Sequence, residues 1–579
     1  MSKTRSQRIN DALCAGAVAV ILAIMPLTAA HLLPAAGAMT EVTSYIIQGP
    51  DLDAVTGSIE SVGGEITHRL GIIDSVAARL TEAQRAALEA LPVGLRIRAN
   101  ARVRTSYTPS TGDGTNAATT GDGGNGNGSS AQDSGYTTVI EADRLHSDGI
   151  TGAGVGVAVL DSGIWKHDQL VYDTAGNSRL VAIYDAVTNR KLRPKNSGDA
   201  LGHGSHVASV ALSSVTTEYG RFNGIAPNAD LISIVAFDGT GSASYADVIR
   251  GIGWAMQNKD RYNIRVLNLS FSAEPMSHYW DDPLNLAVMA AWQAGITVVA
   301  SAGNSGPDPM TIGVPGNVPY VITVGAMTDN YTSADGTDDG LASFSSAGPT
   351  YEGFVKPEIV APGGHMLGLM DGTSQLASDH PEFYDGGKYF TMSGTSQSAA
   401  VVSGVVALML EAESALTPNQ VKCKLMVSAR PAVQEDGTLA YSIFQQGAGV
   451  INAYDAVHGT TYDCANQGLN IDLDISGIQH YGGLANQDEN EDFFLMDLEG
   501  ESPDGVLDGD GYLWSRGYLW SRSYLWSRAY LWADGYLWSR AHTWTDGYLW
   551  SRGYLWSRNH VWTDALTESM SVNTWVEQE

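Results

Sequence analysis

Positive charge is scarce in this chain. Its 579 residues carry 33 Lys plus Arg against 63 Asp plus Glu, a formal net charge of −30. So acidic a chain repels nucleic acid and anionic membranes, and neither is an expected partner. The balance suits a soluble exported protein. Cysteine is almost absent: Cys14, Cys423 and Cys464 are the whole supply. Cys14 precedes an apolar run and does not sit in a lipoprotein-type box. In an oxidising compartment the other two suggest one disulfide, Cys423 with Cys464. Two separate thiols are the alternative, because nothing in the sequence brings them within bonding distance. The apolar run, residues 12–33, follows Lys3, Arg5 and Arg8 and leads to Ala36-Gly37-Ala38. That order reads as an export signal over residues 1–38, cut after Ala38. An uncleaved membrane anchor is the alternative, since the run is nearly long enough to span.

The length exceeds one average domain. Residues 39–105 read as a small α+β domain. Strand-like stretches at 45–48, 65–70, 75–80 and 95–98 alternate with helical spacing over 52–62 and a helix starting at Thr81, where Gln84 completes a capping box. The order βαββαβ is ferredoxin-like. Residues 106–135 are almost all Gly, Ser, Thr, Asn, Asp and Ala, cannot build a core, and read as a flexible linker. Residues 136–459 alternate apolar strands (156–160, 230–236, 265–269, 297–300, 321–324) with helical runs (203–213, 245–257, 283–294, 395–411, 417–428). This predicts an α/β, doubly wound, mainly parallel sheet covered on both faces.

Residues 460–510 read as an acidic linker, with ten acidic residues and no Lys or Arg between 488 and 510. Residues 504–511 are rich in Asp and Gly, as calcium loops are, but lack EF-hand spacing. Residues 511–579 form a Trp-rich tail that opens with nine hexads, typically Gly-Tyr-Leu-Trp-Ser-Arg, with Trp at every fourth place from Trp514 to Trp562. Six residues are three strand periods and not a whole number of helical turns, so a β-type repeat is expected. Its rings and Arg side chains suit a glycan or cell-surface ligand; packing on one another or on the rest of the chain is the alternative.

The chemistry gathers at Thr391-Met392-Ser393-Gly394-Thr395-Ser396. A small and apolar run, 399–410, follows and predicts a buried helix with Ser396 in or near its first turn. Unpaired N–H groups and the positive dipole end at such a helix start suit an oxyanion. A nucleophilic serine still needs a base and a group to orient it. Gly202-His203-Gly204-Ser205-His206 opens another such run, and Val157-Ala158-Val159-Leu160-Asp161 is an apolar strand ending in a carboxylate. The order Asp, His, Ser is one of the known orders of a serine triad.

These segments resemble the subtilisin family of serine peptidases, the subtilases, over roughly residues 136–459. Val298-Val299-Ala300-Ser301-Ala302-Gly303-Asn304 matches the family's oxyanion segment, and 224–227, 344–349, 356–363 and 447–453 add further matches. The resemblance implies catalysis by Asp161, His203 and Ser396, with Asn304 and the Ser396 N–H as oxyanion donors and His206 structural. It implies that Ser270, Phe271 and Ser272 pair with the substrate backbone. Ala300, Ser301, Ala302 and Gly303 would line the pocket for the residue before the cut. It also makes residues 39–105 an inhibitory propeptide, the chain's own intramolecular inhibitor, and the product a secreted, autoprocessed endopeptidase acting on proteins or peptides. A small module with no inhibitory role is the alternative for that domain. No cofactor is needed for catalysis; structural calcium is common in the family, and no residue of this sequence is assigned to it. Three departures stand out: Ser272 for glycine, Gln397 for methionine and Ala400 for proline. The rival reading is a surface-binding or adhesive protein that acts through its tail.

Overall fold

The computed structural model describes residues 41–104, 134–333, 335–434, 438–487, 492–495 and 530–532. The expected export signal, most of the linker over 106–135 and nearly all of the hexads lie outside the described residues.

Four strands open the chain: β1 (Val42–Gln48), β2 (Glu65–Leu70), β3 (Ser75–Thr81) and β4 (Arg96–Ala99). They form an antiparallel sheet in the order β2-β3-β1-β4, with helices Leu52–Ser61 and Glu82–Glu89 between them in sequence. Successive strand residues point to opposite faces. Ile47, Val76, Ala78 and Leu80 therefore meet Val55, Ile59 and Leu88 of the two helices in a small core of their own. Their neighbours Ile46 and Ala77 join the main core of the molecule on the other face. The capping box forms: Thr81 Oγ1 accepts from Gln84 N at 3.3 Å, and Gln84 Oε1 accepts from Thr81 N at 2.8 Å.

The main body follows. Its strands are β5 (Arg102–Arg104), β6 (Gly156–Asp161), β7 (Leu180–Asp185), β8 (Arg190–Leu192), β9 (Asp230–Val235), β10 (Ser242–Ser244), β11 (Ile264–Leu269), β12 (Thr297–Ser301), β13 (Ile322–Thr328), β14 (Gly340–Leu341) and β15 (Ile359–Pro362). The nine-stranded sheet runs β14-β13-β12-β11-β6-β9-β7-β8, with β15 also paired to β13. Within it only β8 and β14 are antiparallel to their neighbours. The strand order turns back at β6, and open α/β sheets place their sites at the carboxyl ends of strands beside such a reversal. β5 stands apart and pairs antiparallel with β10.

Helix Thr395–Ala412 is long and apolar enough to cross a membrane, but it is buried and packs on β11, β12 and β13. A helix apolar all round belongs inside. At Gly404 it passes the helix His203–Leu212 closely: a Cβ there would stand 2.5 Å from Ile225 Cβ and 3.0 Å from Ala211 O.

At the C-terminal side the expected cross-link forms and one expectation changes. Cys423 and Cys464 are joined by a disulfide, with Cα atoms 5.2 Å apart. The acidic linker expected from residue 460 does not begin there, because 460–487 is packed onto the body. Asp474 is buried and accepts from Tyr279 Oη at 2.6 Å, Tyr320 Oη at 2.9 Å and His480 Nδ1 at 2.8 Å. Its charge meets dedicated donors rather than water, which acidic composition alone does not reveal. A hairpin of β16 (Met366–Leu369) and β17 (Tyr389–Met392) precedes this segment. Beyond it come β18 (His480–Gly482), β19 (Ala485–Gln487), β20 (Phe493–Leu495) and β21 (Tyr530–Trp532). The last belongs to one hexad and pairs antiparallel with β18.

Candidate active site

Asp161 ends β6, and His203 is the first residue of helix His203–Leu212. Gly202 precedes it at φ 102°, a left-handed conformation that favours glycine. His203 Nδ1 lies 2.8 Å from Asp161 Oδ1 and 2.9 Å from Oδ2. Both residues are 1% exposed. The carboxylate thereby fixes the proton on Nδ1 and leaves Nε2 as the basic atom. His203 Nε2 is buried and has no hydrogen-bond partner.

Ser396 is the second residue of helix Thr395–Ala412. Its Oγ donates to Ser270 O at 3.0 Å rather than to His203. Ser270 is held in place in turn: its Oγ donates to Ser396 O at 2.8 Å and accepts from Asn268 Nδ2 at 2.8 Å. Asn304 Oδ1 accepts from Thr395 N at 2.9 Å and from Thr395 Oγ1 at 2.8 Å, which orients the amide. A methyl group on Gly394 would stand 2.9 Å from Gln397 Oε1, 3.3 Å from Asn304 Nδ2 and 3.8 Å from Ser396 N. Asn304 Nδ2, Ser396 N and the Gln397 side-chain carbonyl oxygen thus surround one small space beside Ser396, kept open by the missing side chain. The two N–H groups are of the kind that stabilise an oxygen carrying negative charge.

The other expected site residues gather around this centre. Ser301 Oγ donates to Phe271 O at 2.8 Å, joining the two segments expected to bind substrate. Gly303 N donates to Thr395 Oγ1 at 3.2 Å. Ala300 and Ala302 are fully buried beside them. The Ser272 hydroxyl packs where a Cβ on Gly313 would be 1.9 Å away. His206 is turned from the centre: its Nε2 donates to Phe390 O at 3.0 Å and Met366 O at 3.1 Å. Burial pushes its pKa down to about 3, so it stays neutral. Gln397 Nε2 faces His206 Nδ1 at 3.4 Å and Met392 Sδ at 3.1 Å.

Sequence reasoning passed over Ser162 and Asp199. Ser162 Oγ donates to Asp199 Oδ1 at 2.8 Å, and both side chains are buried. The available signals were position alone: one follows Asp161 directly and the other stands four residues before His203.

The subtilase family model matches residues 152–449. The chain belongs to the subtilase family. The serine protease AprX of Bacillus subtilis (strain 168) is 40% identical over 315 residues, covering 54% of this chain and 67% of that protein. Subtilisin E of the same organism is 32% identical over 320 residues, covering 55% and 69%. A solved structure of fervidolysin from Fervidobacterium pennivorans superposes with a TM-score of 0.55 at 24% identity, covering 74% of this chain and 63% of that one. That likeness concerns the fold. As a subtilase the chain is a serine-type endopeptidase whose substrates are proteins or peptides.

Proposed function

We propose that this subtilase is an exported endopeptidase, made as a precursor, in which Asp161, His203 and Ser396 carry out acyl transfer. The observation that carries the reading is the buried Asp161–His203 pair at 2.8 Å with Nε2 left free, on a helix start beside that of Ser396. Rotation of the Ser396 hydroxyl from Ser270 O toward His203 Nε2 lets the imidazole take its proton as Oγ attacks the peptide carbonyl. Asp161 stabilises the imidazolium that forms. The carbonyl oxygen, now negative, is received by Asn304 Nδ2 and Ser396 N. His203 then protonates the departing amine, and a water molecule attacks the acyl-enzyme by the same route in reverse.

Catalysis by these groups needs no cofactor. Among the described residues, no group of three or more His, Cys, Asp or Glu side chains could hold a metal ion, so no calcium site is assigned.

Residues 39–105 act as the inhibitory propeptide in this reading. The chain leaving the small domain adds β5 to β10, and Val103 in its middle is completely buried. Tyr245 N donates to Ala101 O at 2.9 Å and Ala246 N to Asn100 Oδ1 at 3.0 Å. His68 Nε2 meets Asp247 Oδ1 at 3.1 Å, and Arg96 Nη1 meets Asp281 Oδ1 at 3.0 Å. An extended segment held along a strand edge is how a peptide substrate binds in β-augmentation.

Intact mass and N-terminal sequence of the exported protein test the reading, with wild type beside Ser396→Ala. The wild type is expected to lose the segment before the linker, which starts at residue 106, and the variant to retain it. Identical processing of both would reject self-cleavage.

A further inference from the structure

The helix that begins with His203 carries no cap of its own. Gly202 offers no side chain, yet the first N–H groups of a helix need acceptors from elsewhere. Asp199 supplies two of them: its Oδ1 accepts from Gly202 N at 2.8 Å and its Oδ2 from Ser205 N at 2.8 Å. Ser205 Oγ adds a further bond to Oδ2 at 2.7 Å. Ser162 Oγ accepts from Gly204 N at 2.9 Å while donating to Asp199 Oδ1 at 2.8 Å. Ser162 N donates to Asp161 Oδ1 at 2.7 Å. One hydrogen-bonded unit therefore joins the carboxylate at the end of β6 to the first turn that carries the imidazole.

We propose that Asp199 is a positioning residue for the peptidase reaction, which through Ser162 and the first helical turn sets His203 against Asp161 and supports its imidazolium form. The proposal rests on the triad reading above. Its chemistry demands a carboxylate. Each oxygen of Asp199 receives a backbone N–H, and neither of these donors can turn round to accept. An amide at the same place would set its NH2 group against one of them. The charge matters separately. The positive end of a helix disfavours a cation at its first residue, and a nearby anion offsets that. The titratable groups around His203 are Asp161 on β6, Asp199 before the helix and His206 one turn along it. His206 stays neutral, its pKa held down near 3 by burial. Asp161 and Asp199 are thus the two carboxyl groups that face His203.

The test measures kcat, KM and their pH dependence on a peptide substrate, with thermal melting alongside, for wild type, Asp199→Asn and Ser162→Ala in the full chain. For Asp199→Asn we expect kcat to fall by roughly 10- to 100-fold, as for a misplaced catalytic group, with KM within about twofold of wild type. The acid limb of its kcat/KM profile should move to lower pH by roughly half a unit, because one negative charge beside the imidazolium is gone. Ser162→Ala keeps both carboxylates: kcat should fall by about 10-fold with the acid limb in place. An Asp199→Asn enzyme that melts earlier but keeps the wild-type kcat and acid limb overturns the proposal and makes Asp199 a helix cap only. If Asp199→Asn does not fold, an unchanged kcat in Ser162→Ala overturns it instead. A wild-type enzyme that fails to cleave peptides would sink the triad reading and not this inference alone.

Discussion

Replacing Glu358 with Gln would strip the charge that two buried lysines share. Glu358 Oε1 lies 2.7 Å from Lys356 Nζ and 2.8 Å from Lys422 Nζ. Its Oε2 accepts from Thr323 N at 2.7 Å. All three residues are at most 4% exposed. The lysines have neutral acceptors as well: Val321 O and Thr323 Oγ1 for Lys356, Pro319 O and Asn466 Oδ1 for Lys422. A glutamine keeps the shape and those bonds, but it removes the charge and sets its NH2 group against either Thr323 N–H or the two ammonium groups. Burial pushes the Lys356 pKa down from 10.5 to about 7, with Glu358 pulling it back up and Lys422 pressing it lower; burial also lowers Lys422. An unfolded lysine titrates near 10.4. The penalty for burying charged Lys356 is therefore complete below about pH 7 and is relieved as pH rises toward 10.5. Without Glu358 both ammonium groups lose their counter-charge. Breaking a buried pair by removing one partner costs about 3–5 kcal/mol. For a domain of this size that lowers Tm by roughly 5 °C. The assay is thermal and urea unfolding in a Ser396→Ala background, which prevents self-digestion, at pH 6 and at pH 9.5. The deficit of Glu358→Gln should be largest at pH 6 and shrink at pH 9.5, where Lys356 has shed its proton. A deficit below about 1 kcal/mol, or one equal at both pH values, would refute the charge argument.

Arg179 is 1% exposed and donates to three backbone carbonyls: Leu170 O at 3.0 Å, Pro227 O at 3.0 Å and Gln169 O at 2.7 Å. Arg179→Met should cost roughly 3 kcal/mol or more by orphaning those acceptors, measured by urea unfolding, and a loss under about 1 kcal/mol would show that they find other donors. The paired change Cys423→Ser with Cys464→Ser opens a loop with a sequence separation of 41 residues. It should lower stability by about 4 kcal/mol, and an unchanged urea midpoint would reject a stabilising role for the cross-link.

Much of the site is legible in the sequence. Asp161, His203, Asn304 and Ser396 each sit in a short segment whose neighbours declare the local geometry, an apolar strand ending or a helix beginning. The Thr81–Gln84 capping box is legible for the same reason, since both partners lie within one turn. Other elements are not. Leu180–Asp185 is a strand of the sheet, second from its edge, but its apolar run is short and follows a loop of Asp, Thr, Gly and Asn. β5 is three residues, two of them Arg, and is a strand only because β10 pairs with it.

The sequence by itself determined what depends on contiguous residues: the periods of the long strands and helices, the order of the segments that carry Asp161, His203 and Ser396, and the helix start that carries Ser396. The tertiary structure alone decided whatever depends on a partner far along the chain. It joined Cys423 to Cys464, folded residues 460–487 against the body around a buried Asp474, and turned the Ser396 hydroxyl onto Ser270 O. It also brought Asp199 under the first turn of the His203 helix and Ser162 between them. Hydrogen bonds and burial are set by distance in space, and a composition or a spacing carries no record of which distant residues will supply them.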